Sequence, residues 1–137
     1  MHCPRTDETF GMMGYDQFAR MKPTAYFVNT SRGGTYKEAD LVRILQENRI
    51  AGAGLDVDLD EPPPTDHPLM AFDNVIVSPH NAGITHEAMA NVSIISADQW
   101  IDIMDGKVPP RLINREVWPK YRERFQRVMG FAPADKA

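Results

Sequence analysis

Residues 25–57, AYFVNTSRGGTYKEADLVRILQENRIAGAGLDV, decide the fold. They open with a short, uniformly apolar run from Ala25 to Val28, which stops at Asn29 and a Gly33-Gly34 pair. Such a run, bounded by turn residues, reads as a strand buried on both faces. From Glu38 to Arg49, the residues Leu41, Ile44 and Leu45 fall at helical spacing, with acidic residues in the first turn and Arg49 at the end, where the helix dipole favours them. This predicts a helix of about three turns. Ala51 to Val57 is again short and apolar, and its glycines let another backbone come close. A strand, a helix and a strand with short connections form a βαβ unit, whose crossover is right-handed in about 98% of cases. The sheet is therefore expected to be parallel and the fold class α/β.

Downstream, Asp58 to Asp73 reads as a loop, because Pro62-Pro63-Pro64 can continue neither a helix nor a central strand. Val75-Ile76-Val77 is the third strand. Thr85 is a candidate N-cap with Glu87 in the first turn. Beyond it Ala90, Ile94, Ala97, Ile101 and Met104 recur at steps of four and three, which predicts an amphipathic helix of about 20 residues ending at Gly106. A tail follows Pro109-Pro110 and holds a shorter amphipathic stretch, Glu116 to Val128.

Composition narrows the function. With 137 residues and 42% apolar content, the chain can bury one ordinary core. Fifteen basic against 19 acidic side chains give a net charge of −4, without the basic block that tracks a phosphate backbone, so nucleic acid is not an expected partner. No apolar run nears the roughly 18 residues needed to span a bilayer, and the N-terminus has no basic segment leading into an apolar one. The expectation is a soluble, cytoplasmic protein without a membrane partner. A single cysteine, Cys3, excludes an internal disulfide and fits a reducing compartment.

In open parallel sheets ligands bind beyond the carboxyl ends of the strands. Arg32, Glu61 and His80 each follow a predicted strand by a few residues, so one sheet edge would carry all three. An imidazole beside a carboxylate is a competent acid or base near neutral pH, and a planar guanidinium grips a carboxylate through two parallel hydrogen bonds. His80 would move a proton, Glu61 would orient and tune it, and Arg32 would position an acidic substrate. Singly, each has a plain alternative: a solvated loop arginine, one more acid in an acidic loop, a satisfied structural histidine. Their joint placement favours function. Asp56, inside the apolar strand end Gly54-Leu55-Asp56-Val57, must find donors, either from a ligand carboxamide or from nearby backbone.

Other motifs fall away. Asp56, Asp58 and Asp60 alternate like the start of a calcium loop, but the sixth position is Glu61 and the twelfth His67, where glycine and an acid are required. His2-Cys3 has no second pair at metal-ligand spacing, so no metal is expected. Ser31 and Ser78 lack the Gly-x-Ser-x-Gly setting of a hydrolase nucleophile.

Taken together these residues resemble the D-isomer-specific 2-hydroxyacid dehydrogenases. His2-Cys3-Pro4-Arg5-Thr6 looks like the family's His-x-Pro-x-Thr loop, and Met21-Lys22-Pro23 with Val28-Asn29-Thr30-Ser31-Arg32-Gly33-Gly34 looks like its arginine signature. Ala53-Gly54-Leu55-Asp56-Val57 with Glu61-Pro62 resembles its glutamate segment, Ser78-Pro79-His80-Asn81-Ala82-Gly83 its histidine segment, and Thr85 to Pro109 its usual ending. The departures are Thr35-Tyr36-Lys37, where the family usually has two aliphatic residues and an acid, and the absence of a Gly-x-Gly-x-x-Gly loop.

The resemblance implies a Rossmann-like sheet, the C-terminal half of a dinucleotide-binding domain over residues 1–106, with the long C-terminal helix, followed by a tail over 107–137. It implies interconversion of a 2-hydroxy acid and a 2-keto acid with NAD or NADP. Arg32 would bind the substrate, His80 would be the general acid/base and Glu61 its partner. Cofactor contacts would come from Cys3, Thr30, Ser31, Arg32, Asp56, His80, Asn81, Ala82 and Gly83, with Asp56 meeting the carboxamide. The full-length family form is expected to be a homodimer. The rival expectation is a truncated, catalytically silent fragment acting as an interaction module or a pseudogene product.

Overall fold

A computed structural model describes residues 1–134. These fall into two compact units, Met1–Gly83 and a second from Ile84 onward. The first contains α1 (Tyr15–Ala19), β1 (Tyr26–Asn29), α2 (Glu38–Gln46), β2 (Gly52–Leu55) and β3 (Val75–Val77), with a 3-10 turn at Pro68–Ala71. The second contains α3 (His86–Met104) and α4 (Trp118–Met129).

The three strands form one sheet in the order β1-β2-β3, paired in parallel. Asn29 lies opposite Leu55, and Leu55 opposite Val77, so all three strands end on the same edge. The loops that leave this edge carry Arg32, Glu61 and His80. The α/β, Rossmann-like expectation is met, as is the long helix after the sheet.

The core explains why the βαβ unit closes. Phe27, Ala53 and Leu55 point to one sheet face and meet Phe18 from α1 with Leu41, Ile44 and Leu45 from α2, all nearly or fully buried. The Phe18 and Phe27 rings meet edge to face at 5.0 Å. Burying each such side chain contributes about 1.5–3 kcal/mol.

Several local expectations need correction. The β1 run is buried on one face only: Tyr26 is 67% and Val28 52% exposed, as is Ile76 of β3 at 75%. A uniformly apolar strand shows no alternation, so sequence could not tell one covered face from two. The helix expected to reach Arg49 ends at Gln46, with Arg43 as the basic residue of its last turn. The segment read wholly as loop contains the Pro68–Ala71 turn, begun by His67, whose ring nitrogen accepts from the Leu69 N–H.

In the second unit, Thr85 caps α3 as expected, its hydroxyl accepting from the Ala88 N–H at 3.1 Å. The helix predicted as amphipathic forms, but its apolar stripe is uncovered: Ala90, Ile94, Ala97, Ile101 and Met104 are exposed, and no residue of α3 is buried. Met89, Val92 and Trp100 add apolar side chains on other faces, which blurs the period that defines amphipathicity. Gly106 follows the helix at φ +74° and so ends it. The aromatic side chains of α4 pack in series, Trp118 stacked on Tyr121 at 4.9 Å and Phe125 edge to face with Phe131 at 5.0 Å. Among the described residues no helix is long and apolar enough to cross a membrane.

Candidate functional site

Asn29 ends β1 fully buried and builds the loop that presents Arg32. Its side-chain oxygen accepts from the Ser31 N–H (3.0 Å) and hydroxyl (2.7 Å), while its amide donates to the Arg32 carbonyl at 3.1 Å. Thr35, also fully buried, donates its hydroxyl to the same carbonyl at 2.8 Å. An Asx turn of this kind replaces backbone pairing at a tight corner. The Arg32 guanidinium then lies over the loop, donating to the Ser31 carbonyl at 2.7 Å.

Gly33 is what lets this loop sit against the chain after β2. A Cβ on Gly33 would lie 1.7 Å from the Asp58 carbonyl oxygen and 2.7 Å from the Leu59 nitrogen, far inside any real contact. Only a glycine fits.

The loop after β3 is tied to the end of β2 by Asp56, which is 4% exposed. One carboxylate oxygen accepts from the Ser78 hydroxyl at 2.6 Å and the Asn81 N–H at 2.9 Å, and the other from the Ala82 N–H at 3.0 Å. Burial pushes this carboxyl up, but the Ser78 hydroxyl, the Ala82 and Asn81 N–H groups and the charge of His80 outweigh it and hold it below the usual carboxylate range. The donors that Asp56 needed thus come from the His80 loop. Within that loop His80 adopts φ +51°, left-handed for a residue with a Cβ, a strain that surrounding structure must hold in place.

These ties bring the three expected residues together. His80 Nδ1 lies 2.7 Å from Glu61 Oε2. Its hydrogen bond, ahead of a smaller opposing effect of burial, holds the Glu61 carboxyl below the usual range, so Glu61 accepts and Nδ1 donates. The other ring nitrogen, Nε2, faces Arg32 Nη1 at 3.5 Å. Glu61 Oε1 accepts from the Asp58 N–H at 3.2 Å. An acid/base nitrogen whose opposite nitrogen is fixed by a carboxylate, with a guanidinium beside it, can hold an anionic carbonyl compound and exchange a proton with it.

Cys3, Thr30, Ser31 and Arg32 line a cavity of about 670 Å³ together with His2 and Arg5. Asp56, Glu61 and His80 line a smaller one of about 180 Å³. The donors of the larger cavity are cationic and polar, which fits a phosphate-bearing ligand. Asn81 and Ala82 direct their N–H groups to Asp56, and Gly83 lies in open space, where a Cβ would meet nothing within 4 Å.

Sequence reasoning passed over Asn29, Gly33, Ser78 and Asp58. A signal for the first existed, since asparagine at a strand end followed by serine two residues on is an Asx-turn pattern. Asp58, Glu38 and His67 place ligand-type atoms within 4.8 Å of one another. They do not make a metal centre as they stand: His67 Nδ1 already accepts from the Leu69 N–H at 3.3 Å, and Nε2 lies 2.8 Å from Glu38, so both ring nitrogens are committed.

A family model described as D-isomer specific 2-hydroxyacid dehydrogenase, NAD binding domain, matches residues 1–82. The glyoxylate reductase of Korarchaeum cryptofilum is 44% identical over 117 residues, which are 85% of this chain and 35% of that protein. A D-isomer specific 2-hydroxyacid dehydrogenase from Lactobacillus delbrueckii ssp. bulgaricus, solved in its NAD-complexed form, matches with a TM-score of 0.75 at 30% identity, covering 82% of this chain and 38% of that one. The NADPH-dependent glyoxylate/hydroxypyruvate reductase from Sinorhizobium meliloti, solved with NADP and malonate, matches with a TM-score of 0.67 at 34% identity, covering 74% and 31%. The chain spans about a third of the length of curated relatives such as the glyoxylate reductase.

Proposed function

We infer the function of this chain from the family to which it belongs, the D-isomer specific 2-hydroxyacid dehydrogenases, whose NAD-binding domain it matches, and propose that it serves NAD(P)-dependent interconversion of 2-keto and D-2-hydroxy acids. One observation carries the reading: His80 stands between Glu61 at 2.7 Å and Arg32 at 3.5 Å, at the carboxyl ends of parallel strands.

A nicotinamide cofactor, when bound, would supply the hydride. The residues of the chain do the rest. Arg32 grips the substrate carboxylate and the keto oxygen through its fork of donors, orienting one face of the carbonyl. His80, doubly protonated, gives its Nε2 proton to the keto oxygen, and in the reverse direction takes it from the hydroxyl. Glu61 accepts from Nδ1 throughout, which stabilises the imidazolium before transfer. As negative charge develops on oxygen, the guanidinium and the Nε2 proton both answer it.

Cys3, Thr30, Ser31 and Arg32 are the candidates for holding the cofactor in the larger cavity, with Asp56, Asn81, Ala82 and Gly83 around the His80 loop. Asp56 Oδ2 accepts one N–H and has a further lone pair for a carboxamide. Malonate in the Sinorhizobium meliloti structure is a small dicarboxylate, which supports a carboxylate subsite here. We place the protein in the cytoplasm, as its single cysteine suits, and expect a homodimer by family resemblance.

The test is NADH consumption by the purified chain on glyoxylate or hydroxypyruvate, with NADH-induced stabilisation in a melt. Turnover that Arg32→Ala and His80→Gln each abolish is the expected result. Absence of both turnover and stabilisation would overturn the proposal for this chain and favour the catalytically silent reading.

A further inference from the structure

Asp58 takes no part in the proton transfer above, yet its side chain is inside the protein, the residue only 6% exposed. Carboxylates are rarely buried without partners. Here Tyr36, itself 4% exposed and packed edge to face on Phe27 at 5.5 Å, brings its hydroxyl to 3.5 Å from Asp58 Oδ1. From α2 and the segment before the 3-10 turn come Glu38 and His67, paired at 2.8 Å. Burial pushes the Asp58 carboxyl up; the charge of His67 counters this, the charge of Glu61 adds to it, and the Tyr36 hydroxyl counters it again. The same burial and the Asp58 charge keep the Tyr36 hydroxyl protonated.

The main chain of Asp58 touches both halves of the site. Its N–H donates to Glu61 Oε1 at 3.2 Å, and its carbonyl is the surface against which Gly33, next to Arg32, is packed. Wherever the Asp58 side chain is held, those two groups are held with it.

We propose that Asp58 is a positioning residue for the Arg32–His80–Glu61 site, its buried carboxyl, anchored by Tyr36, fixing the main-chain groups that hold Glu61 and receive Gly33. The proposal rests on reading Glu61 and His80 as the acid/base pair. The tether of the Asp58 N–H favours ionisation of Glu61, whereas the charge of Glu61 disfavours ionisation of Asp58.

That tether makes a test. The titration of the Glu61 carboxyl carbon is followed by NMR in the whole chain, without cofactor or substrate. Asp58→Ala removes anchor and charge, and the midpoint is expected to rise by about half a pH unit as the tether slackens. Asp58→Asn keeps the shape and an acceptor for Tyr36 and loses only the charge, so its midpoint should not rise. Tyr36→Phe keeps the charge and loses the anchor, so its midpoint should rise. A midpoint that does not rise in Asp58→Ala overturns the proposal. An unchanged midpoint in Tyr36→Phe overturns it too, and covers the case in which Asp58→Ala does not fold. Because no turnover is read, failure here leaves the proposed reaction standing, and absence of turnover leaves this result standing.

Discussion

Replacing Asp56 with asparagine tests whether the His80 loop is held by one buried charge. The carboxylate accepts bonds of 2.6, 2.9 and 3.0 Å from Ser78, Asn81 and Ala82, and the residue is 4% exposed. In Asp56→Asn the remaining oxygen can still accept from Ser78 and Asn81, but the new NH₂ group faces the Ala82 N–H, donor against donor. A hydrogen bond to a charged group contributes about 1.5–3 kcal/mol; losing one and weakening two neutralised ones sums to roughly 2–4 kcal/mol. At several degrees per kcal/mol, Tm should fall by roughly 8–15 °C.

The effect also depends on pH. The folded Asp56 carboxyl lies below its unfolded value of about 3.9, so its contribution is complete above that value and is lost as pH falls through the lower folded one. The gap between wild type and Asp56→Asn in urea unfolding should therefore be full at neutral pH and close in acid. Hydrogen exchange at Asn81 and Ala82 should quicken in the variant. A neutral-pH difference under about 0.5 kcal/mol, or unchanged exchange at both amides, would refute the reasoning.

Gly33→Ala places a Cβ 1.7 Å from the Asp58 carbonyl oxygen, so the Arg32 loop must move and stability should fall by about 3 kcal/mol in chemical denaturation; a near-neutral result would mean that the two loops are not in contact. Thr85→Ala removes the cap of α3 and should cost about 1 kcal/mol by the same measurement, with no loss expected if the 3.1 Å bond to Ala88 does not form. Arg32→Lys leaves the charge but not the fork, so calorimetry with oxamate in the presence of NADH should give affinity lower by roughly 10–100-fold, and equal affinity would count against carboxylate recognition by Arg32.

The readable parts of this chain are those where local chemistry and topology agree. Three short apolar runs ending in Asn29, Asp56 and Ser78, with one helical repeat between the first two, suffice for a parallel sheet. Parallel strands end on one side, so Arg32, Glu61 and His80 could be joined before any distance was known. What stayed hidden has no periodicity of its own. α1 is five residues, too few to show a helical face, and begins after Gly14 rather than at a serine or aspartate. Asp58 belongs to an acidic alternation, Asp56-Asp58-Asp60, in which the apolar strand end marks Asp56 but nothing local marks Asp58 as buried and Asp60 as exposed. Tyr36 looked like a departure from an aliphatic pattern, and its meaning depends on Asp58, distant in sequence and 3.5 Å away in space. The open face of β1 and the bare stripe of α3 are hidden for the opposite reason: their residues are apolar whether or not anything covers them.

The knot around Asn29 has a thermodynamic side. Its amide group and the Thr35 hydroxyl fix Ser31 and Arg32 through contacts internal to the folded chain. The entropy of ordering that corner is spent during folding, so an anion binding at Arg32 as proposed would need only to immobilise the end of one arginine. If Arg32 grips the substrate as proposed, capture and a robust fold draw on the same asparagine, and relaxing the corner to admit a bulkier acid would lower thermal resistance in the same step.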